Sequence, residues 1–169
     1  MNLFQNPSAS FDEPVSMLLA CHGKVQRFCA QLDALPAHIA AHGMDEGACQ
    51  AVAQIRRYFN QAAPLHHADE ECDFFPLLLR YHPEAAADVA ALTAEHETLH
   101  ATWAALDGHL ADLLSQAGQA ADAALIARFT ALYARHIAVE EPWFGRTYDI
   151  PATELQAIGR VMAARRQAA

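Results

Sequence analysis

The chain has 169 residues, 53% of them hydrophobic and 18% charged, with a formal net charge of −9. That length reads as one domain, residues 1–169, with a substantial core, and an apolar fraction rich in alanine favours helix over sheet. The acidic balance offers no basic patch to phosphates, which argues against a nucleic-acid binder, and apolar runs broken by His, Asp, Glu or Arg exclude a membrane-spanning helix.

Residues 1–10 read as a lightly packed lead-in, after which Ser10 or Asp12 can cap a helix with Pro14 in its first turn. Val15, Leu18, Leu19, His22, Val25, Cys29 and Leu32 then recur at helical intervals, so the first amphipathic helix carries a histidine inside its apolar stripe. Pro36 ends or kinks it, and His42-Gly43 reads as the turn. The second helical stretch carries Val52, Ile55, Phe59, His66, Glu70, Phe74 and Leu77 on one face, with Pro64 expected to bend it or start a new segment. His82-Pro83 marks the next turn. The third helix follows Val89, Leu92, His96, Leu99, His100, Trp103, Leu106, Leu110 and Leu113 to a stop near Gly118.

Asp122 can cap the fourth helix, whose stripe is Leu125, Phe129, Leu132, His136, Glu140 and Phe144, with its end disturbed by Pro142 and Gly145. A last short helix runs from about Pro151–Thr153 through Leu155, Ile158, Val161 and Met162 to Arg165-Arg166. No period-two pattern competes anywhere. The sequence therefore predicts an all-α, up-down-up-down four-helix bundle over about 12–148, with an additional C-terminal helix over about 151–167. The first twenty residues lack a basic segment followed by an apolar one, so no secretory signal is expected. Cys21, Cys29, Cys49 and Cys72 form no close pair and read as reduced thiols of a cytoplasmic protein.

The chain also repeats itself. Phe59, His66, Glu70, Glu71 and Phe74 match Phe129, His136, Glu140, Glu141 and Phe144 at an offset of 70; His22, Leu32 and Asp33 match His96, Leu106 and Asp107 at an offset of 74. Two helix hairpins related by an approximate twofold would present ligands from all four helices to a site on the axis.

The histidines and acids inside the apolar stripes are His22, His66, Glu70, His96, His100, His136 and Glu140. Any one of them alone is an ordinary hydrogen-bonded core residue, but seven such groups in one core are costly unless metal satisfies them together. Five imidazoles and two carboxylates exceed one closed zinc site, and nitrogen and oxygen donors without thiolate suit two ions of iron or manganese. His67 and Glu71 share the spacing of His66 and Glu70. The stripe chooses His66, because stepping back from it reaches Phe59 and Val52, whereas stepping back from His67 reaches Asn60 and Arg56. His67, Glu71 and Glu141 are expected behind the ligands or facing solvent.

These residues resemble hemerythrin and the wider HHE cation-binding domains. The resemblance runs from His22 through the two His-x-x-x-Glu-Glu segments to the closing Ile158–Arg166. It implies that His96, His100 and His136 hold one iron, that His22 and His66 hold the other, and that Glu70 and Glu140 bridge the two with an oxo or hydroxo group. The second iron then has one open position, since the first helix has Gln26 where the third has His100. An open position implies a small ligand such as dioxygen, nitric oxide or peroxide. Oxygen-carrying hemerythrins end with a histidine and an aspartate five apart; His136 and Glu140 are four apart. That spacing is similar to the HHE branch, which includes iron and oxygen sensors and iron-centre repair proteins with an added cysteine-bearing domain for which this chain has no room.

Three functions follow: a binding protein that stores or senses a diatomic, a redox enzyme or iron donor acting on nitric oxide, peroxide or damaged iron-sulfur centres, or a structural cation site. Leu99 and Trp103, within a turn of the third-helix ligands, are either a wall of the ligand pocket or plain core.

Overall fold

The computed structural model describes residues 10–115 and 119–168. Among these the chain is helical throughout, with no strand. Helix α1 spans Pro14–His42. Helix α2 is a continuous run made of Glu46–Arg57, Ala63–Asp69 and Phe75–Tyr81, joined by two π turns at Tyr58–Ala62 and Glu70–Phe74. Helices α3 (Ala86–Ser115) and α4 (Ala123–Phe144) complete the up-down-up-down bundle, and α5 (Ala152–Ala168) packs outside it. The expected stop of α3 near Gly118 and the lead-in before Ser10 lie outside the described residues.

The helix ends follow local chemistry, with two differences from expectation. Asp45 caps α2 by accepting from the Ala48 amide at 2.8 Å, and Asp122 caps α4 through the Leu125 amide at 2.9 Å. At α1 neither Ser10 nor Asp12 caps: Glu13 occupies the N-cap without a side-chain bond, and Ser10 instead accepts from the Asp12 amide. Pro36 does not end α1, which continues to His42 and stops at Gly43, where φ is +72° and the amide donates to the Ile39 carbonyl.

The π turns explain the prolines of α2. Each lies just before a segment whose first turn holds a proline, Pro64 in one case and Pro76 in the other. Proline has no N–H and its ring collides with the carbonyl four residues back, so a widened turn lets the helix pass without breaking. The new segment expected at Pro64 is present, opening just after the first π turn.

Two apolar clusters fill the bundle. One holds Val25–Ile39 of α1, Val52–Ala63 of α2, Leu99–Leu113 of α3 and Ile126–Ile137 of α4, and it includes both Leu99 and Trp103. The other holds Met17 and Leu18, Phe74–Leu78, Ala85–Leu92, Trp143 and Phe144, closed by Met162 of α5. Between them, at His22, His66–Glu70, His96 and His136–Glu140, every helix of the bundle turns polar at one level.

Helix α5 approaches so closely that a Cβ on Gly159 would stand 1.9 Å from the Phe11 carbonyl oxygen. Gly159→Ala is therefore expected to destabilise by about 1–3 kcal/mol through overpacking, read as a lower urea midpoint at unchanged slope. An unaltered midpoint would mean that α5 does not seat on residue 11.

Candidate metal centre

The polar layer is fully internal. His22, His66, Glu70, His96, His136 and Glu140 are each no more than 2% exposed. Their inner atoms crowd one volume: His66 Nε2 lies 2.8 Å from Glu70 Oε1, His22 Nε2 lies 3.1 Å from Glu140 Oε2, and His96 Nε2 lies 3.3 Å from Glu70 Oε2. His136 Nε2 stands 3.5 Å from Glu140 Oε2 and 3.2 Å from His96 Nε2. Short as they are, these approaches leave all four carboxylate oxygens and His22 Nε2 buried without a hydrogen bond.

The outer nitrogens behave differently. Nδ1 of His22 contacts Glu141 at 3.2 Å, Nδ1 of His96 contacts Glu71 at 2.5 Å, and Nδ1 of His136 contacts Glu95 at 3.2 Å. A carboxylate accepts only, so each of these Nδ1 atoms carries a proton, and a ring that gives up its inner proton presents a lone pair inward at Nε2. The Nε2 atoms of His96 and His136 stand 3.2 Å apart. A cation between them and the two carboxylates would take both lone pairs. Carboxylate behind imidazole, imidazole toward the centre, is the arrangement that orients metal-bound histidines. The donor set therefore fits a metal centre.

Metal-free, the layer is electrostatically strained. Burial works against a charge on His22, but the adjacent Glu140 and Glu70 carboxylates outweigh it and raise the imidazole to about 9. Burial, with the neighbouring Glu70 charge, pushes the Glu140 carboxyl up to about 7. Burial and the neighbouring His96 pull His136 below the ordinary histidine value, whereas burial of Glu70 is overcome by His66 and the other imidazoles, which hold its carboxyl well down.

Three groupings in the layer are close enough to share an ion: His22, His66 and Glu70; His67, Glu70 and His96; and Glu70, His136 and Glu140. A model of the hemerythrin HHE cation-binding domain matches residues 13–146. The chain belongs to this family. A protein of Haemophilus influenzae, described as an uncharacterized protein, is 47% identical to it over 160 residues, which is 94% of this chain and 93% of the relative. The hemerythrin-like frame accounts for the level at which all four helices turn polar.

Of the seven residues singled out in the sequence, six meet in this hemerythrin-like layer. His100 is the exception: it lies exposed on α3, its Nε2 at 2.9 Å from Nδ1 of His67. His67, expected behind the ligands or toward solvent, is 2% exposed and stacks on His96 with ring centroids 4.0 Å apart. The π turn at Tyr58–Ala62 adds a residue to the face that precedes it, so stepping back to Phe59 no longer identifies which of the two neighbouring histidines points inward. Both do. His67 Nε2 also meets the buried Tyr133 hydroxyl at 3.3 Å. Tyr133 could have been found, since it falls in the α4 stripe three residues before His136; Glu95, on a neighbouring helix, has no signal in the spacing. Trp103 donates to Asn60 at 2.8 Å and packs on Phe59 and Phe129, within the apolar cluster.

Proposed function

We propose that the protein holds two iron ions in this layer and binds a small diatomic ligand there, dioxygen foremost, as a store or sensor. The support is the pair of inward-facing Nε2 atoms of His96 and His136, whose rings are backed by Glu71 and Glu95 and face two carboxylates without hydrogen bonds. Iron in that donor set supplies a redox-active Lewis acid with a coordination position for the diatomic. The ligands proposed are His22, His66, Glu70, His96, His136 and Glu140, with the seventh place given to His67, whose ring joins the Glu70–His96 group while His100 stands outside.

The chain's own residues orient and dry the site. Glu71, Glu95 and Glu141 fix three imidazole tautomers. Phe144 packs on His22 at 5.3 Å between centroids and Phe75 stacks near His96 at 6.2 Å, so apolar rings exclude water on one side while the larger cluster does so on the other. No described helix is long and apolar enough to cross a membrane, and four free cysteines suit a reducing cytoplasm, where we place the protein.

Anaerobic iron loading should give two ions per chain by elemental analysis, and air admitted to the reduced protein should produce a charge-transfer spectrum stable for minutes. His67→Ala is expected to lower the stoichiometry and His100→Ala to leave it unchanged. A colourless protein that retains zinc alone would overturn the reading. A redox enzyme acting on peroxide or nitric oxide is the second reading, favoured by one observation: the exposed His100 is hydrogen-bonded to His67 beside the layer, a route for protons that turnover needs and storage does not. Rapid autoxidation with consumption of either substrate would select it.

A further inference from the structure

The approximate twofold seen in the sequence extends to the bonds behind the imidazoles, and it fails at one place. The offsets of 70 and 74 map His22–Glu141 onto His96–Glu71, and both contacts exist. They also map Asp33–Thr130 onto Asp107–Asn60, and both of those exist. The remaining pair is His136–Glu95, whose counterpart is His66 with residue 21, a cysteine. His66 is 2% exposed and its Nδ1 is the one outer nitrogen of the six-residue set left buried without a hydrogen bond. The Cys21 thiol is near enough to this ring to raise its affinity for a proton, without a hydrogen bond of ordinary geometry. On its other side the thiol contacts the Met17 sulfur at 3.6 Å and opens to a cavity of about 600 Å³ walled by Met17, Lys24, Tyr58, Gln61 and Arg166.

We propose that Cys21 is the positioning residue for His66, and that a thiol in the place of a carboxylate makes the metal ion held by His66 the more exchangeable of the two. The inference rests on the two-ion reading above. A carboxylate behind an imidazole fixes its orientation and raises its basicity, and losing such a partner costs about 10–100-fold in metal affinity. A thiol is a weak donor and a weak acceptor, so it does neither well. His22, His96 and His136 are braced from outside by acids, whereas His66 has only the thiol beside it. The cavity beside Cys21 also exposes that brace to reagents that cannot reach the interior of the layer.

The test is release of iron from the anaerobically loaded, full-length protein into excess ferrous chelator. Release should be biphasic. Cys21→Ala should quicken the fast phase about tenfold, Cys21→Ser should restore it toward the original rate, and Cys21→Glu should slow it until the two phases approach each other. Iodoacetamide should quicken the fast phase of the unmodified protein and leave Cys21→Ala unchanged. Thermal melts of the metal-free variants identify any that fail to fold, and the serine variant, nearly isosteric, carries the comparison if the glutamate variant does. Two ions bound with release indifferent to residue 21, or both phases moving together in every variant, would overturn the inference. Failure of the unmodified protein to take up two ions would overturn the two-ion reading instead.

Discussion

Loading with ferrous iron should raise the unfolding temperature by about 10 °C or more. A ligand present at a thousand times its Kd adds about 4 kcal/mol to a folded state that alone binds it, and about 1 kcal/mol moves the midpoint of a chain this size by roughly 2–4 °C. The cause is visible in the metal-free layer: four carboxylate oxygens and His22 Nε2 are buried without hydrogen bonds, each a desolvation cost of about 1–3 kcal/mol that a cation removes. The pH dependence has a definite sign. His22 is raised to about 9 and Glu140 to about 7 in the metal-free protein, so at neutral pH metal must displace protons from both. The gain should therefore shrink as pH falls from 9 toward 6, and calorimetric titration in buffers of different ionisation enthalpy should show protons released on binding. Identical melting curves with and without chelator would sink the prediction.

Replacing Arg165 and Arg166 together by alanine should destabilise the protein by about 3 kcal/mol, the cost of leaving a buried carboxylate without its partners. That carboxylate is Asp69, 0% exposed and adjacent in sequence to Glu70. Arg165 bonds Asp69 and reaches Asp73 at 2.7 Å, and Arg166 reaches Asp69 at 2.6 Å. The two arginines are 21% and 25% exposed, so the pairs are screened less than surface ion pairs but not fully dry, which keeps the figure at the lower end of the range for buried pairs. Asp69→Asn in the same background should recover part of the loss, because a neutral amide needs less compensation than a charge. Equilibrium denaturation in urea measures both, and a loss under about 0.5 kcal/mol would show that α5 contributes packing only.

Much of this was legible in the sequence because helical spacing reports burial directly. Stripes through His22, His96 and His136 placed each residue at its observed depth, and the repeat located the axis on which they meet. The residues that fall elsewhere than expected do so for separate physical reasons. Spacing carries information only while the helix keeps 3.6 residues per turn, and α2 abandons that period twice, at Tyr58–Ala62 and Glu70–Phe74. Pro64 is expected to bend the helix or start a new segment, and the chain does the latter behind a wider turn. This turned His67 inward. His100 shows a second limit: on α3, four residues after His96, it satisfies the pattern yet sits at the margin of the stripe, where a few degrees of helix rotation decide between interior and solvent. Glu95 was invisible for a third reason, since its partner His136 lies on another helix and local periodicity says nothing of distant pairs.

The crossed acids also constrain when the site can come into being. Each helical hairpin forms from near neighbours in sequence, but His22 takes its outer carboxylate from residue 141 and His96 from residue 71. Closing the first of these pairs joins points 119 residues apart, among the most remote contacts the chain makes and therefore among the last to be gained as it folds. A hairpin alone, or two not yet docked, would offer imidazoles with unset tautomers and poor aim.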